Sequence, residues 1–200
     1  LHALEPFDLV SLGHNSPRYV DLVARTMQWA FADWTTRLGD PHFTTDLTPT
    51  ITDPAYAAEA AARLATGEKF PVPRWQPPEH KDTTHITIVD RTGNCVSLTH
   101  SLGASSGAVV DGLGFQLNNC MNCFHPVPGL PNSLAVGKAR LSGISPTIVT
   151  RDGQPVIVIG APGGTQIITG VLQVLLNLID FGMTPTEAVA APRFDSQSHV

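Results

Sequence analysis

The sequence predicts an α+β fold. Three observations carry this expectation: helical spacing of apolar residues across residues 1–67, pairs of alternating apolar and polar runs between residues 83 and 162, and a strong helical stretch after Gly163-Gly164. Strands followed by helices, with no strand–helix–strand alternation, point to an α+β layered domain. Each element has a local reason. Ser16-Pro17 gives an N-cap followed by Pro at the first helical position. Tyr19, Leu22, Val23, Met27, Ala30, Phe31, Trp34 and Leu38 then recur at helical spacing. Gly39 is expected to end that helix. Asp53-Pro54 starts a second, Ala-rich helix, which Gly67 stops.

Residues 68–82, "EKFPVPRWQPPEHKD", contain four prolines and read as an exposed linker. Such linkers are where a chain is cut without unfolding. "THITIV" alternates, residues 90–94 turn, and "CVSLTHS" alternates again. A second hairpin runs from "SPTIVT" through Arg151-Asp152-Gly153 to "PVIVIG", and the long loop "FHPVPGLPNSLAVGKAR" lies between the two hairpins. After Gly163-Gly164, a helix is expected with Ile167, Ile168, Val171, Leu172, Leu175, Leu176 and Ile179 on one face. Gly182 closes it, and Thr184-Pro185-Thr186-Glu187 reads as a capping box for a last helix.

Composition narrows the function. With 200 residues, 42% of them hydrophobic, the chain can bury a core as one large domain or two small ones. A net charge of -5 and the lack of any basic stripe argue against nucleic acid as a partner. No apolar run approaches the roughly 20 residues of a membrane span. Three cysteines do not form a pure disulfide framework. The chain starts at Leu1 rather than Met and is expected to be a fragment, so its localisation (bacterial cytoplasm, periplasm or secreted) is open.

The first hairpin brings chemistry together. A three-residue loop, Arg91-Thr92-Gly93, sets Asp90 opposite Asn94, Ile88 opposite Val96, Ile86 opposite Leu98, and Thr83 opposite Ser101. Ile86, Ile88, Val96 and Leu98 then share one face, and Thr83, His85, Thr87, Thr99 and Ser101 the other. Two hydroxyls meet at the open end. A Thr at a chain's N-terminus carries its own base, because a free α-amine titrates near neutrality. Cleavage of Asp82–Thr83 would create that amine, and Ser101 could orient the Thr83 hydroxyl. On spacing alone, an ordinary strand start with a polar face explains the same pattern.

"IGAPGGTQIIT" runs a buried strand into a Gly pair and then a helix. Glycines admit a reacting group close to backbone N–H groups at a helix start, which is what an oxyanion hole requires. A strand–helix turn that needs Gly for packing is the plainer explanation. No Lys-Ser/Thr follows the glycines, so this is no Walker loop. Cys120-x-x-Cys123 with His125 offers three metal ligands, but no second pair has metal spacing. Two small pocket-lining thiols or a labile disulfide are expected instead. His85 and His100 could serve as acid or base, but on a sheet face they are expected to be structural.

Together these motifs resemble the γ-glutamyltransferase (γ-glutamyltranspeptidase) family of N-terminal-nucleophile hydrolases. "LVSLGHNSPRYVDLVARTMQWAFADW" and "LGDPHF" resemble the end of its large subunit. "DTTHITIVDRTGN" resembles its processing site and first small-subunit hairpin, and "KARLSGISPTIVTRDGQPVIVIGAPGGTQIITGVLQVLLNLIDFGMTPTEAVAAPRF" resembles the small-subunit core. The resemblance implies a four-layer αββα sandwich, with residues 1–82 ending a large subunit and residues 83–200 beginning a small one. It implies self-cleavage at Asp82–Thr83, Thr83 as N-terminal nucleophile forming an acyl-enzyme, Ser101 in place of a second threonine, and Gly163 and Gly164 as the oxyanion-hole glycines. It implies a small amide or amino-acid-derived substrate and two associated subunits of one precursor, with no cofactor and no metal.

The resemblance places the substrate contacts on Gly103, Asn119, Cys120, Cys123, Ser142 and Gly143, and the chain departs from the family at several of them. Gly103 replaces an Asn, Cys120 and Cys123 replace a Gln and an Asp, and Ser142-Gly143 replaces a serine pair. The segment around Cys120 looks more like a divergent, transferase-like branch. Members of that branch act on other amides, and some in antibiotic pathways cleave a C–C bond. Glutamyl specificity is therefore expected to be altered. An uncleaved, inactive homologue is the non-enzymatic alternative.

Overall fold

The computed structural model describes residues 1–73 and 82–197. The chain forms two compact units. One comprises Leu1–Trp75, His125–Leu141 and Leu172–Val200, and the other Gln76–Phe124 and Ser142–Val171. The helices are α1 (Leu9–Leu12), α2 (Pro17–Thr36), α3 (Thr48–Ile51), α4 (Pro54–Ala65), α5 (Gln166–Ile179) and α6 (Pro185–Ala190). The strands are β1 (Thr83–Val89), β2 (Cys95–Ser101), β3 (Ser105–Val109), β4 (Gln116–Asn118), β5 (Thr147–Arg151) and β6 (Gln154–Ile159). The α+β class is as expected.

The first unit has a helical core. Ser16 caps α2 by accepting the Tyr19 N–H at 3.2 Å. One face of α2 then buries Tyr19, Leu22, Val23 and Met27 against Leu64 of α4, Phe70 and Leu176. Inside α2, Arg25 spans from Asp21, at 2.8 Å, to the Leu64 carbonyl, at 2.6 Å. Two expectations are corrected here. Helix α2 ends at Thr36, with Arg37 as its C-cap, not at Gly39. Gly39 is there for close approach: a Cβ on it would lie 2.8 Å from the Pro131 carbonyl carbon. The expected linker is also not exposed throughout, because Phe70 and Val72 are each only 3% exposed. The Phe70 ring joins the core with the Arg63 guanidinium 4.8 Å above it. The rest of that linker, residues 74–81, lies outside the described residues.

Helix α5 is buried on more than the expected stripe. Thr169, Gln173 and Asn177 are buried along with Ile167, Val171, Val174, Leu175 and Leu176, whereas Ile179 is exposed. The buried amides are satisfied, as burial requires. Asn177 accepts from His14 Nε2 at 2.9 Å and donates to the Ala188 carbonyl at 3.2 Å. Gln173 bonds both the carbonyl and the N–H of Phe194, at 2.7 and 3.1 Å. The capping box of α6 forms as expected between Thr184 and Glu187.

Among its described residues the second unit contains three antiparallel two-stranded ladders, β1–β2, β3–β4 and β5–β6. The β3–β4 pair does not stand out in the sequence; both strands are short, β3 contains Gly107, and the register is irregular. The β5–β6 turn is Asp152-Gly153, with φ of 51° and 75°, the left-handed pair that a tight primed turn requires. In β1–β2 the polar face is the better covered one: Thr83, His85, Cys95, Ser97, Thr99 and Ser101 are half-buried, while Thr87 and Val89 toward the turn are exposed. The apolar residues Ile86, Ile88, Val96 and Leu98 are 45%, 56%, 50% and 51% exposed.

Candidate active site

All the residues expected to carry chemistry lie in the strand-rich unit. The β1–β2 register is Thr83 opposite Ser101, Ile86 opposite Leu98 and Ile88 opposite Val96. The turn fixes it. Asp90 accepts from the Asn94 side-chain amide, from the Thr92 hydroxyl and from the backbone N–H groups of both, and these bonds pull its pKa down to about 2. A one-residue slip would break this turn and send every side chain to the other face.

With the register fixed, the Thr83 and Ser101 hydroxyls lie 2.9 Å apart. Ser101 Oγ also accepts the Gly103 N–H at 2.9 Å. Gly103 adopts φ +70°, and a Cβ there would stand 3.0 Å from Cys120 Sγ. Gly103 therefore lets the backbone turn back onto Ser101 and leaves room for the thiol. Cys120 in turn donates to the Leu102 carbonyl at 3.5 Å. Asn119 donates its N–H to the carbonyls of Leu102 and Ala104, at 3.1 and 3.0 Å. Thr83, Ser101, Gly103, Asn119 and Cys120 thus form one connected group.

The bond between Asp82 and Thr83 has its own setting. The Asp82 carbonyl accepts from the Leu102 N–H at 3.4 Å and from the Ser101 hydroxyl at 3.3 Å. The Asp82 carboxylate accepts the Ser105 N–H at 3.1 Å. Sequence reading missed these contacts, since they depend on where the chain goes after Ser101.

A second group surrounds the glycine turn. Gly163 and Gly164 have φ of 137° and 62°, conformations that side chains disfavour. Their carbonyls accept from Gln166 and Ile167, at 3.2 and 3.3 Å, as α5 begins. Preceding the first helical turn, their N–H groups have no acceptor within the helix. Gly143 abuts this turn: a Cβ on it would lie 3.0 Å from the Gly164 carbonyl oxygen. Ser142 is exposed, and its Oγ accepts the Ile144 N–H at 3.3 Å. Cys123 Sγ donates to Asn122 Oδ1 at 3.5 Å. No cysteine is in a disulfide. Among the described residues no group of three or more His, Cys, Asp or Glu side chains is arranged for a metal ion.

The model of the Gamma-glutamyltranspeptidase family matches residues 1–200. The chain belongs to the gamma-glutamyltranspeptidase family. A relative from Pseudomonas aeruginosa named glutathione hydrolase proenzyme is 42% identical over 92% of this chain and 35% of its own length. A Pseudomonas sp. relative named acylase ACY 1 proenzyme is 37% identical over 96% of this chain and 35% of its own length. The crystal structure of a cephalosporin acylase from Bacillus halodurans superposes with a TM-score of 0.72 at 28% identity, covering 96% of this chain and 36% of that one. The chain therefore spans about a third of the length of these gamma-glutamyltranspeptidase-family relatives. Both relatives are enzymes named as precursors. No described helix is long and apolar enough to cross a membrane.

Proposed function

We propose that this chain carries the processing site and nucleophile of a self-cleaving amide hydrolase or acyltransferase, with Thr83 as nucleophile and an altered acyl specificity. The observation that carries the proposal is the 2.9 Å contact between the Thr83 and Ser101 hydroxyls beside the Asp82 carbonyl. In the precursor, Thr83 Oγ attacks the Asp82 carbonyl carbon. The oxyanion is stabilised by the Leu102 N–H and the Ser101 hydroxyl, whose long contacts shorten as negative charge builds. The C–N bond breaks, the Thr83 nitrogen takes the proton, and an ester joins Asp82 to Thr83 Oγ. Water hydrolyses that ester, leaving an Asp82 carboxylate and a free Thr83 amine.

That amine then acts as base for the Thr83 hydroxyl toward a substrate amide. Gly163 and Gly164 N–H groups take the oxyanion, the leaving amine departs protonated, and water or an acceptor amine releases the acyl group. The surrounding fold in this reading is the four-layer αββα sandwich, with residues 1–82 in the large subunit and residues 83–200 in the small one.

Specificity follows from the departures. An Asn, Gln or Asp that pairs with an α-amino or α-carboxylate group rejects analogues lacking it, because its own polar atoms would be left unpaired. Gly103, Cys120 and Cys123 impose no such test, and Gly143 adds no hydroxyl beside the glycine turn. Acyl groups without γ-glutamyl ends are therefore accepted.

The full-length protein is expected to yield two fragments, the smaller beginning at Thr83, and Thr83→Ala to remain one band. Mass spectrometry after incubation with γ-glutamyl and non-glutamyl amides is expected to find an acyl adduct on Thr83 with the latter. A folded wild-type protein that stays a single chain would overturn the reading.

A further inference from the structure

We propose that His85 is a positioning residue that sets where the nucleophile stands relative to the glycine turn. Its catalytic half rests on the function proposed above. No backbone ladder joins β1–β2 to β5–β6 among the described residues. The seat of Thr83 relative to Gly163 and Gly164 is therefore set by side chains.

Two contacts make the connection. Ser97 of β2 donates its hydroxyl to the Ile159 carbonyl at 2.9 Å. The His85 imidazole lies flush against Gly160: a Cβ on Gly160 would stand 2.7 Å from Nε2 and closer still to Nδ1 and Cε1. No side chain fits there while the ring is present. The ring itself is held from both ends, with Nδ1 2.8 Å from the Thr99 hydroxyl and Nε2 3.0 Å from the Thr87 hydroxyl. It cannot tilt without losing one of these bonds.

His85 lies two residues from Thr83 on the same half-buried face, and Gly160 lies three residues before Gly163. A rigid ring at one point and a bare backbone at the other act as a spacer between nucleophile and oxyanion donors. Misplacement of reacting groups by about 1 Å costs roughly a hundredfold in rate.

The test uses the full-length protein and compares His85→Ala, Gly160→Ala and the double variant. Gly160→Ala is expected to slow self-cleavage and lower kcat about a hundredfold with little change in KM. The double variant is expected to regain at least about tenfold over Gly160→Ala, since removing the ring vacates the space its methyl needs. A double variant no faster than Gly160→Ala, or single variants that lose thermal stability with kcat intact, would overturn the proposal. TROSY spectra of glycine-labelled protein supply a readout independent of activity: the Gly163 and Gly164 amide signals are expected to move in His85→Ala. Unmoved signals sink the spacer, whereas absent cleavage in wild type sinks only the catalytic reading.

Discussion

The two units treat apolar side chains in opposite ways. In the helical unit Leu64 is 1% exposed and Val23 fully buried, as their spacing on α4 and α2 suggests. In the strand-rich unit the apolar face of β1–β2 is the outer one, and the hydroxyl- and imidazole-bearing face is the covered one. Alternation thus identifies two faces of a hairpin without saying which is covered. In the first unit the residues serve packing. In the second, covered polar groups are bonded to one another, and this is where chemistry is proposed.

The sharpest way to break this comparison is to make one substitution in each unit. Leu64→Ala is expected to cost about 2–5 kcal/mol, the range for a buried Leu that leaves a cavity. Leu98→Ala in the same 200-residue chain is expected to change stability by no more than about 0.5 kcal/mol, as surface substitutions do. Urea unfolding of both variants measures the difference. Equal costs would remove the contrast.

Next in size is a buried polar group in the helical unit. Asn177→Ala strips the partner from His14 and from the Ala188 carbonyl, both otherwise bonded at 2.9 and 3.2 Å. Leaving such groups unpaired is expected to cost about 1–3 kcal/mol, read as a drop in the urea midpoint. A neutral result would mean that burial in this unit does not depend on satisfied amides.

Much of this was legible in the sequence where the cause was local. The Ser16 cap, the Thr184–Glu187 box and the β1–β2 register follow from residues within a few positions of one another. So did the pairing of Thr83 with Ser101, since one turn decides it. What failed was non-local. Gly39 reads as a helix stop in the sequence, because its actual role depends on Pro131, far along the chain. Phe70 and Val72 read as linker because prolines flank them, yet their apolar side chains belong to the core. The His85–Gly160 contact left only a weak signal: a histidine on a covered face, and a glycine at the end of a strand.

The smallest expected effect lies in the turn on which the site's register depends. Folding lowers the Asp90 pKa from the ordinary 3.8 to about 2, chiefly through the Asn94 and Thr92 side chains. A depressed carboxyl pKa means that the folded hairpin favours the ionised form. Its contribution is fully present above about pH 4, the ordinary value for Asp, and is lost as pH falls through the folded value. Protection of the Asn94 amide, which donates to Asp90 at 2.9 Å, is therefore expected to fade between those limits. Asp90→Asn is expected to abolish that pH dependence and to weaken protection at neutral pH. The other side of the comparison makes the experiment discriminating, because amides in the α2–α4 core depend on apolar burial and not on this carboxylate. If the Asn94 amide and the α2 amides lost protection together on acidification, the turn would not be an independent lock. The register that brings Thr83 to Ser101 would then have to be held by the rest of the strand-rich unit.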